Sequence, residues 1–258
     1  MTDYRLLLFA LLLPLAAIAT PGEASLVRVA HAETSFDHSY SAWDGILRAH
    51  VRRDGMVDYK GLQSNASVKT FLDSVAGVSS GEVASWSRAQ KLAFYCNAYN
   101  AYTFQTILDA WPVNSIRDIK PDAWDNARWK VAGQSMSLND IEHKQLRGKM
   151  KEYRVHFVLV CAAKSCPVLP NKAIVPEGVD RQLERYARAF FTDTSRNRVD
   201  QSAGKVFLSK LMDWYGGDFN GAPATYMAKY MDEDTRAFLE AGKFTVEFNE
   251  YDWSLNKQ

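Results

Sequence analysis

Apolar side chains recur along most of this chain every three or four residues, the spacing that keeps one face of an α-helix out of water. Between residues 41 and 51, Trp43, Ile46, Leu47 and Val51 share such a face, and Asp54-Gly55 then supplies a turn that stops the helix. A second short helix is predicted over 68–75. The strongest pattern starts at a cap on Ser85 or Ser87, runs through Leu92, Tyr95, Tyr99, Tyr102, Thr106 and Ile107, and stops at Trp111-Pro112. That helix is expected to be largely buried. Residues 129–132 predict a short strand, and Ser137-Leu138-Asn139-Asp140 resembles a capping box opening the helix that carries Glu142 and His143. Residues 155–161 are apolar on both faces except at His156, which predicts a central strand covered on two sides. Beyond the Cys166-Pro167 turn, 179–192 predicts an amphipathic helix with Leu183, Tyr186, Ala187, Phe190 and Phe191 facing inward. A hairpin around Ser202-Ala203-Gly204, short helices near 211–215 and 224–239, and an alternating strand over 244–248 complete the pattern.

These elements define an α+β fold, a single compact domain over residues 40–258 with helices packed around a small mixed or antiparallel sheet and a buried central strand. The start of the chain has a different character. Arg5 precedes an apolar run over 6–19 broken by Pro14, a signal-peptide pattern over 1–19, and small residues at Ala17, Ala19, Ala30 and Ala32 allow cleavage as late as residue 32. The run falls short of the roughly 20 residues that span a bilayer, so no stable membrane insertion is expected and the mature chain is predicted to be periplasmic or secreted. Residues 20–39 lack periodicity and predict a flexible lead-in.

Composition narrows the partners. Lysine plus arginine (31) balances aspartate plus glutamate (30) with no long run of either sign, which leaves nucleic acid without an electrostatic footprint. The expected partner is a small-molecule or peptide ligand. Aromatic residues make 12% of the chain, enough to fill a core and to line a cleft, with Trp214, Tyr215, Tyr251 and Trp253 as candidates to pack or grip a ligand. In an oxidising compartment the three cysteines allow one disulfide, for which Cys161 and Cys166 are the local pair and Cys96 is left over.

Several of these segments form a set: AFYCNAYNAYTF, MSLNDIEH, RVHFVLVCAAKSCPVLP, LSKLMDWYGGDF and YDWSLN. Together, from about Trp43 to Asn256, they resemble the domain of unknown function 547 family. The resemblance implies that the polar positions of interest are Asn97, Asn100, Glu142, His143, His156, Cys161, Ser165 and Cys166, with Pro167 beside them; it brings no reaction with it. Cys96 departs from the family pattern, where an aliphatic residue is usual, and reads as a small apolar filler.

The residues themselves suggest chemistry. Asn97 and Asn100 share a helix face and must find partners, in neighbouring backbone or in a substrate. An imidazole in an apolar segment must be hydrogen-bonded, either as a satisfied core histidine or as a general base beside the thiols of the following turn. One reading makes Cys166, or Cys161 in its place, a nucleophile activated by His156 or His143, with Asn97, Asn100, Glu142 and Ser165 contacting substrate: a thiol- and histidine-dependent hydrolase or acyl transferase. The other joins Cys161 to Cys166 in a disulfide and leaves a non-catalytic ligand-binding or assembly module. No cofactor is implied, and without paired H-x-x-x-H or C-x-x-C spacing no metal site is predicted.

Overall fold

The computed structural model describes residues 35–258, so the leader and its cleavage sites lie outside the described residues. Phe36 packs its ring at 5.3 Å from Phe94 and 5.6 Å from Trp86, and residues 20–34 of the expected lead-in lie outside the described residues.

The centre of the fold is a helix. Ser87 and Gln90 exchange side-chain-to-backbone hydrogen bonds in a full capping box, which starts α5 (Arg88–Asp109) where the pattern placed it. From Leu92 to Phe104 every side chain of α5 is buried, so neighbours must surround it. Helices α1 (Ser41–His50), α2 (Tyr59–Gln63), α3 (Ser67–Gly77) and α4 (Ser80–Ser85) lie before it in the chain, with Trp43 stacked on Phe71 at 5.3 Å and set edge-on to Phe104. Truncating a buried aromatic of this kind costs about 3–5 kcal/mol. A hairpin of β1 (Trp129–Val131) and β2 (Gln134–Met136) follows. The second half packs a separate apolar cluster between α6 (Val179–Thr192), β3 (Arg198–Asp200), β4 (Lys205–Leu208), α7 (Lys210–Trp214), α8 (Pro223–Ala228) and α9 (Glu233–Ala241), with the exposed strand β5 (Thr245–Phe248) following. Strand β4 pairs antiparallel with β3 and parallel with β5, a small mixed sheet. The helix predicted over 224–239 is two, because Asp232 caps a new start at α9.

The α+β class holds, but the predicted central strand does not form. Residues Tyr153–Phe157 make a 3-10 helix, and the chain continues to Cys161 without pairing as a strand. The segment is as buried as its apolar residues demand, yet among the described residues no strand pairs with it. Asn100 takes that place: its amide nitrogen donates to the Val158 carbonyl at 2.9 Å and its oxygen accepts from the Val160 N–H at 3.0 Å. Asn97 holds Ile174 in the same manner, at 2.7 and 3.1 Å. One side-chain amide per segment satisfies the buried backbone that a sheet neighbour would otherwise have to meet.

Among the described residues no helix is long and apolar enough to cross a membrane.

Candidate functional site

The stretch from Cys161 to Cys166 is a tight bend with Ala162 in the left-handed region at φ +63°, a conformation that costs an alanine about 1–2 kcal/mol. Surrounding bonds hold it. The C-terminal segment runs alongside, with Asn256 N–H bound to the Ala162 carbonyl, Lys164 N–H to Ser254 and Ser165 N–H to Asp252. On the other flank, Arg196 aims two N–H groups at the Cys166 carbonyl, at 3.0 and 2.9 Å. This is why the end motif matters: it fixes the bend and delivers Tyr251, whose hydroxyl donates to Cys166 Sγ at 3.2 Å.

Cys166 is 2% exposed and its sulfur collects further bonds, from the Cys161 N–H at 3.2 Å and with Cys161 Sγ at 2.8 Å. Burial opposes its ionisation, but the bonds from the Cys161 thiol, the Tyr251 hydroxyl and the backbone outweigh that and bring the Cys166 thiol below its ordinary value. The bond to Cys166 and burial push Cys161 the opposite way. Tyr251 is also pushed far up, by burial and then by the two thiols, so it stays a phenol and keeps donating. All three cysteines are free.

Across from the bend, the helix opened by Ser137 and Asp140, whose side chains each bind the other's backbone N–H, is a π-helix over Asp140–Lys149. Its i→i+5 bonding shows in Met150 N–H to the Gln145 carbonyl at 3.0 Å. A Cβ on Gly148 would meet the His143 carbonyl at 2.8 Å, so glycine permits this winding. Such turns are rare and cluster at functional sites. This one carries Glu142, His143 and Arg147. His156 is 2% exposed, stacks on Tyr215 at 4.0 Å, binds Asp218 through Nε2 at 2.7 Å and places Nδ1 3.7 Å from Glu142. Asp218 also accepts from Arg147 at 2.6 Å. Burial alone would raise the Asp218 carboxyl, but the bonds from His156 and Arg147 and the nearby positive charge hold it well below the usual carboxylate range.

Between these two walls lies a cavity of about 280 Å³, lined by Glu142, His156, Cys161 and Cys166 together with Tyr99, Asp122, Trp124, Asp125, Trp214, Tyr215, Tyr251 and Trp253. The imidazole of His156 and the thiols thus share a hollow, as do the four aromatic residues singled out as ligand-gripping candidates. The other predicted site residues do not line it. His143 turns Nδ1 to Arg147 at 2.6 Å, Asn97 and Asn100 hold backbone, and Ser165 Oγ accepts from Asp252 N–H at 2.8 Å. Among the described residues neither histidine hydrogen-bonds a thiol: both ring nitrogens of His156 face carboxylates. Also among them, no group of three or more His, Cys, Asp and Glu side chains is placed to hold a metal ion.

Asp218, Asp122 and Asp125 were not singled out from sequence. Asp218 lies inside the LSKLMDWYGGDF motif, which was the available signal; for Asp122 and Asp125 there was none.

Residues 83–191, which span α5, the π-helix, the cysteine bend and α6, match the family described as protein of unknown function, DUF547. Over that stretch the resemblance read from the motifs holds, and the match stops before Asp218 and Tyr251. No curated protein and no solved structure matches the chain.

Proposed function

We propose that the cavity is the active site of an exported thiol-dependent hydrolase or acyl transferase with Cys166 as nucleophile. The observation that carries this reading is the Cys166 sulfur in the cavity wall, drawing hydrogen bonds from Tyr251 and from the Cys161 N–H, with the Cys161 sulfur 2.8 Å away. Hydrogen-bond donors take the part that a histidine base plays in other thiol enzymes. In the proposed cycle the Cys166 thiolate adds to a substrate carbonyl carbon, the amine or alcohol departs with a proton from the Glu142–His156 side of the cleft, and a thioester remains. Water or a second nucleophile then breaks the thioester, gives its proton back to that side and frees the thiolate. Asp218 and Arg147 are positioning residues here, since they reach the cavity through His156.

A second reading rests on one distance. The two sulfurs stand 2.8 Å apart, so an external oxidant that removes two electrons and two protons could close them into a disulfide and leave a binding cleft without a nucleophile.

Limiting iodoacetamide followed by peptide mass mapping separates the two. Cys166 is expected to react first, at a rate rising with pH below that of an ordinary thiol, and Cys166→Ser is expected to lower turnover of a nitrophenyl ester at least about 10³-fold. Native protein that titrates with a single free thiol would sink the nucleophile reading and support the disulfide.

A further inference from the structure

We infer that the cavity selects substrates carrying a positively charged group, an ammonium or guanidinium, close to the reacting acyl carbon. The inference rests on the thiol reading for what the site does, and on the cavity's own lining for what it admits. Three carboxylates line the hollow, Asp122, Asp125 and Glu142, and none of the described lining residues is lysine or arginine. An anionic substrate would meet these three carboxylates and no lysine or arginine there, and like charges at such range oppose entry.

The carboxylates do not stand alone. Glu142 has a side chain only 8% exposed, and the imidazole nitrogens nearest to it, at 3.7 Å on His156 and 4.0 Å on His143, are too far for hydrogen bonds. The arginines around this region are engaged elsewhere: Arg147 is held by Asp218 and lies over the Tyr215 ring, Arg196 is held by Asp193 and the Cys166 carbonyl, and Arg117 covers the Trp253 ring at 5.2 Å. Among the described residues no lysine or arginine stands in salt-bridge range of Glu142, and a carboxylate on a cavity wall whose imidazole neighbours lie beyond hydrogen-bond range leaves room for a cationic partner from solution.

The walls fit the same ligand. Trp214 is 45% exposed, and it leans on Tyr251 at 4.8 Å and on Trp253 at 5.6 Å, while Trp124 meets Trp253 edge-on at 6.0 Å. Rings that converge at several tilts around an acidic hollow offer π-faces to a cation, worth about tenfold in affinity when the cation is desolvated. Tyr251 belongs to both functions, since its hydroxyl touches Cys166 and its ring faces Trp214. A bound cation would therefore lie near the sulfur, and its substrate's acyl carbon within reach of it.

The test uses the full mature chain and reads binding apart from thiol chemistry. In Cys166→Ser protein, quenching of tryptophan fluorescence is titrated with n-butylammonium, n-butanol and butyrate. Saturable quenching by the ammonium at least about tenfold tighter than by the alcohol, with none by butyrate, is expected. Glu142→Gln and Asp122→Asn are expected each to weaken the ammonium and to leave the alcohol's affinity within about twofold. In unmodified protein, n-butylammonium is expected to slow iodoacetamide labelling of Cys166. Equal affinity for ammonium and alcohol, or tighter binding of butyrate, would overturn the inference even with Cys166 reactive. Charge-selective quenching with an unreactive Cys166 would keep it and discard the thiol mechanism.

Discussion

The middle of α5 and the bend from Cys161 to Cys166 hold the same kinds of groups, a buried thiol and buried hydrogen-bonding side chains, and put them to opposite use. On the helix, Cys96 lies wholly buried and burial pushes its thiol up, while the neighbouring Asn97 and Asn100 give both amide atoms to backbone. On the bend, Cys166 is almost as buried, yet its sulfur is the acceptor for several donors and borders a cavity. Burial by itself does not set a thiol's ionisation; hydrogen bonds donated to the sulfur shift it the other way.

The largest effect that could break this contrast comes from the helix side. Asn100→Ala removes both bonds to the 158–160 segment and leaves a carbonyl and an N–H buried without partners, in a position that water cannot reach without opening the core. A loss of about 2–4 kcal/mol is expected, read as a fall in the urea midpoint. Cys166→Ser should cost much less stability. If Asn100→Ala were as stable as the wild type, the amide would not be holding that segment and the difference between the two regions would blur.

That same amide marks where reading the sequence stopped working. Helices whose stripe is set by local spacing were legible almost to the residue: α6 occupies Val179–Thr192 as predicted, and α5 starts at the Ser87 cap. Residues 155–161 were not, because an apolar run shows that a segment is buried without showing what pairs with its backbone. The partner came from Asn100, about sixty positions earlier, and no local pattern records it. The site divides along the same line. His156, Cys161 and Cys166 stand out as polar or reactive groups in apolar surroundings and do line one cavity, whereas Asp218 and the donating role of Tyr251 depend on contacts across 62 and 85 positions. The π winding over Asp140–Lys149 was also invisible, since its spacing differs from an α-helix by a single residue per turn of bonding.

A smaller effect sharpens the bend side. Tyr251→Phe removes one donor from the Cys166 sulfur and keeps the ring. The thiol then loses part of what lowers it, so the pH profile of iodoacetamide labelling should move to higher pH, and the rate at neutral pH should fall about 2- to 10-fold, the worth of one hydrogen bond. The equivalent loss on the helix side has no counterpart, because Cys96 is fully buried and does not line the cavity. An unchanged profile would mean that Cys161 alone sets the thiol, and Cys161→Ser would then become the decisive variant.

The smallest effect concerns the wall opposite the bend, where the proposal makes Asp218 a positioning residue for His156. Its carboxyl is held below the value it has in the unfolded chain, so the folded state binds that proton less readily. Stability from this source is therefore fully present above about pH 4, the unfolded value, and drains away as pH falls toward the lower folded one. Asp218→Asn lacks that contribution at every pH. The variant should be less stable than the wild type at pH 7 by less than the Asn100→Ala loss, and the gap in urea midpoint should narrow at pH 3. A structural role alone would give the same stability pattern, so the positioning role needs its own readout: the ester turnover profile, in which Asp218→Asn should lower kcat and shift its pH dependence while leaving the iodoacetamide rate of Cys166 near that of the wild type. Parallel losses in both rates would place Asp218 in the support of the whole cavity and leave the proton side of the cleft to Glu142.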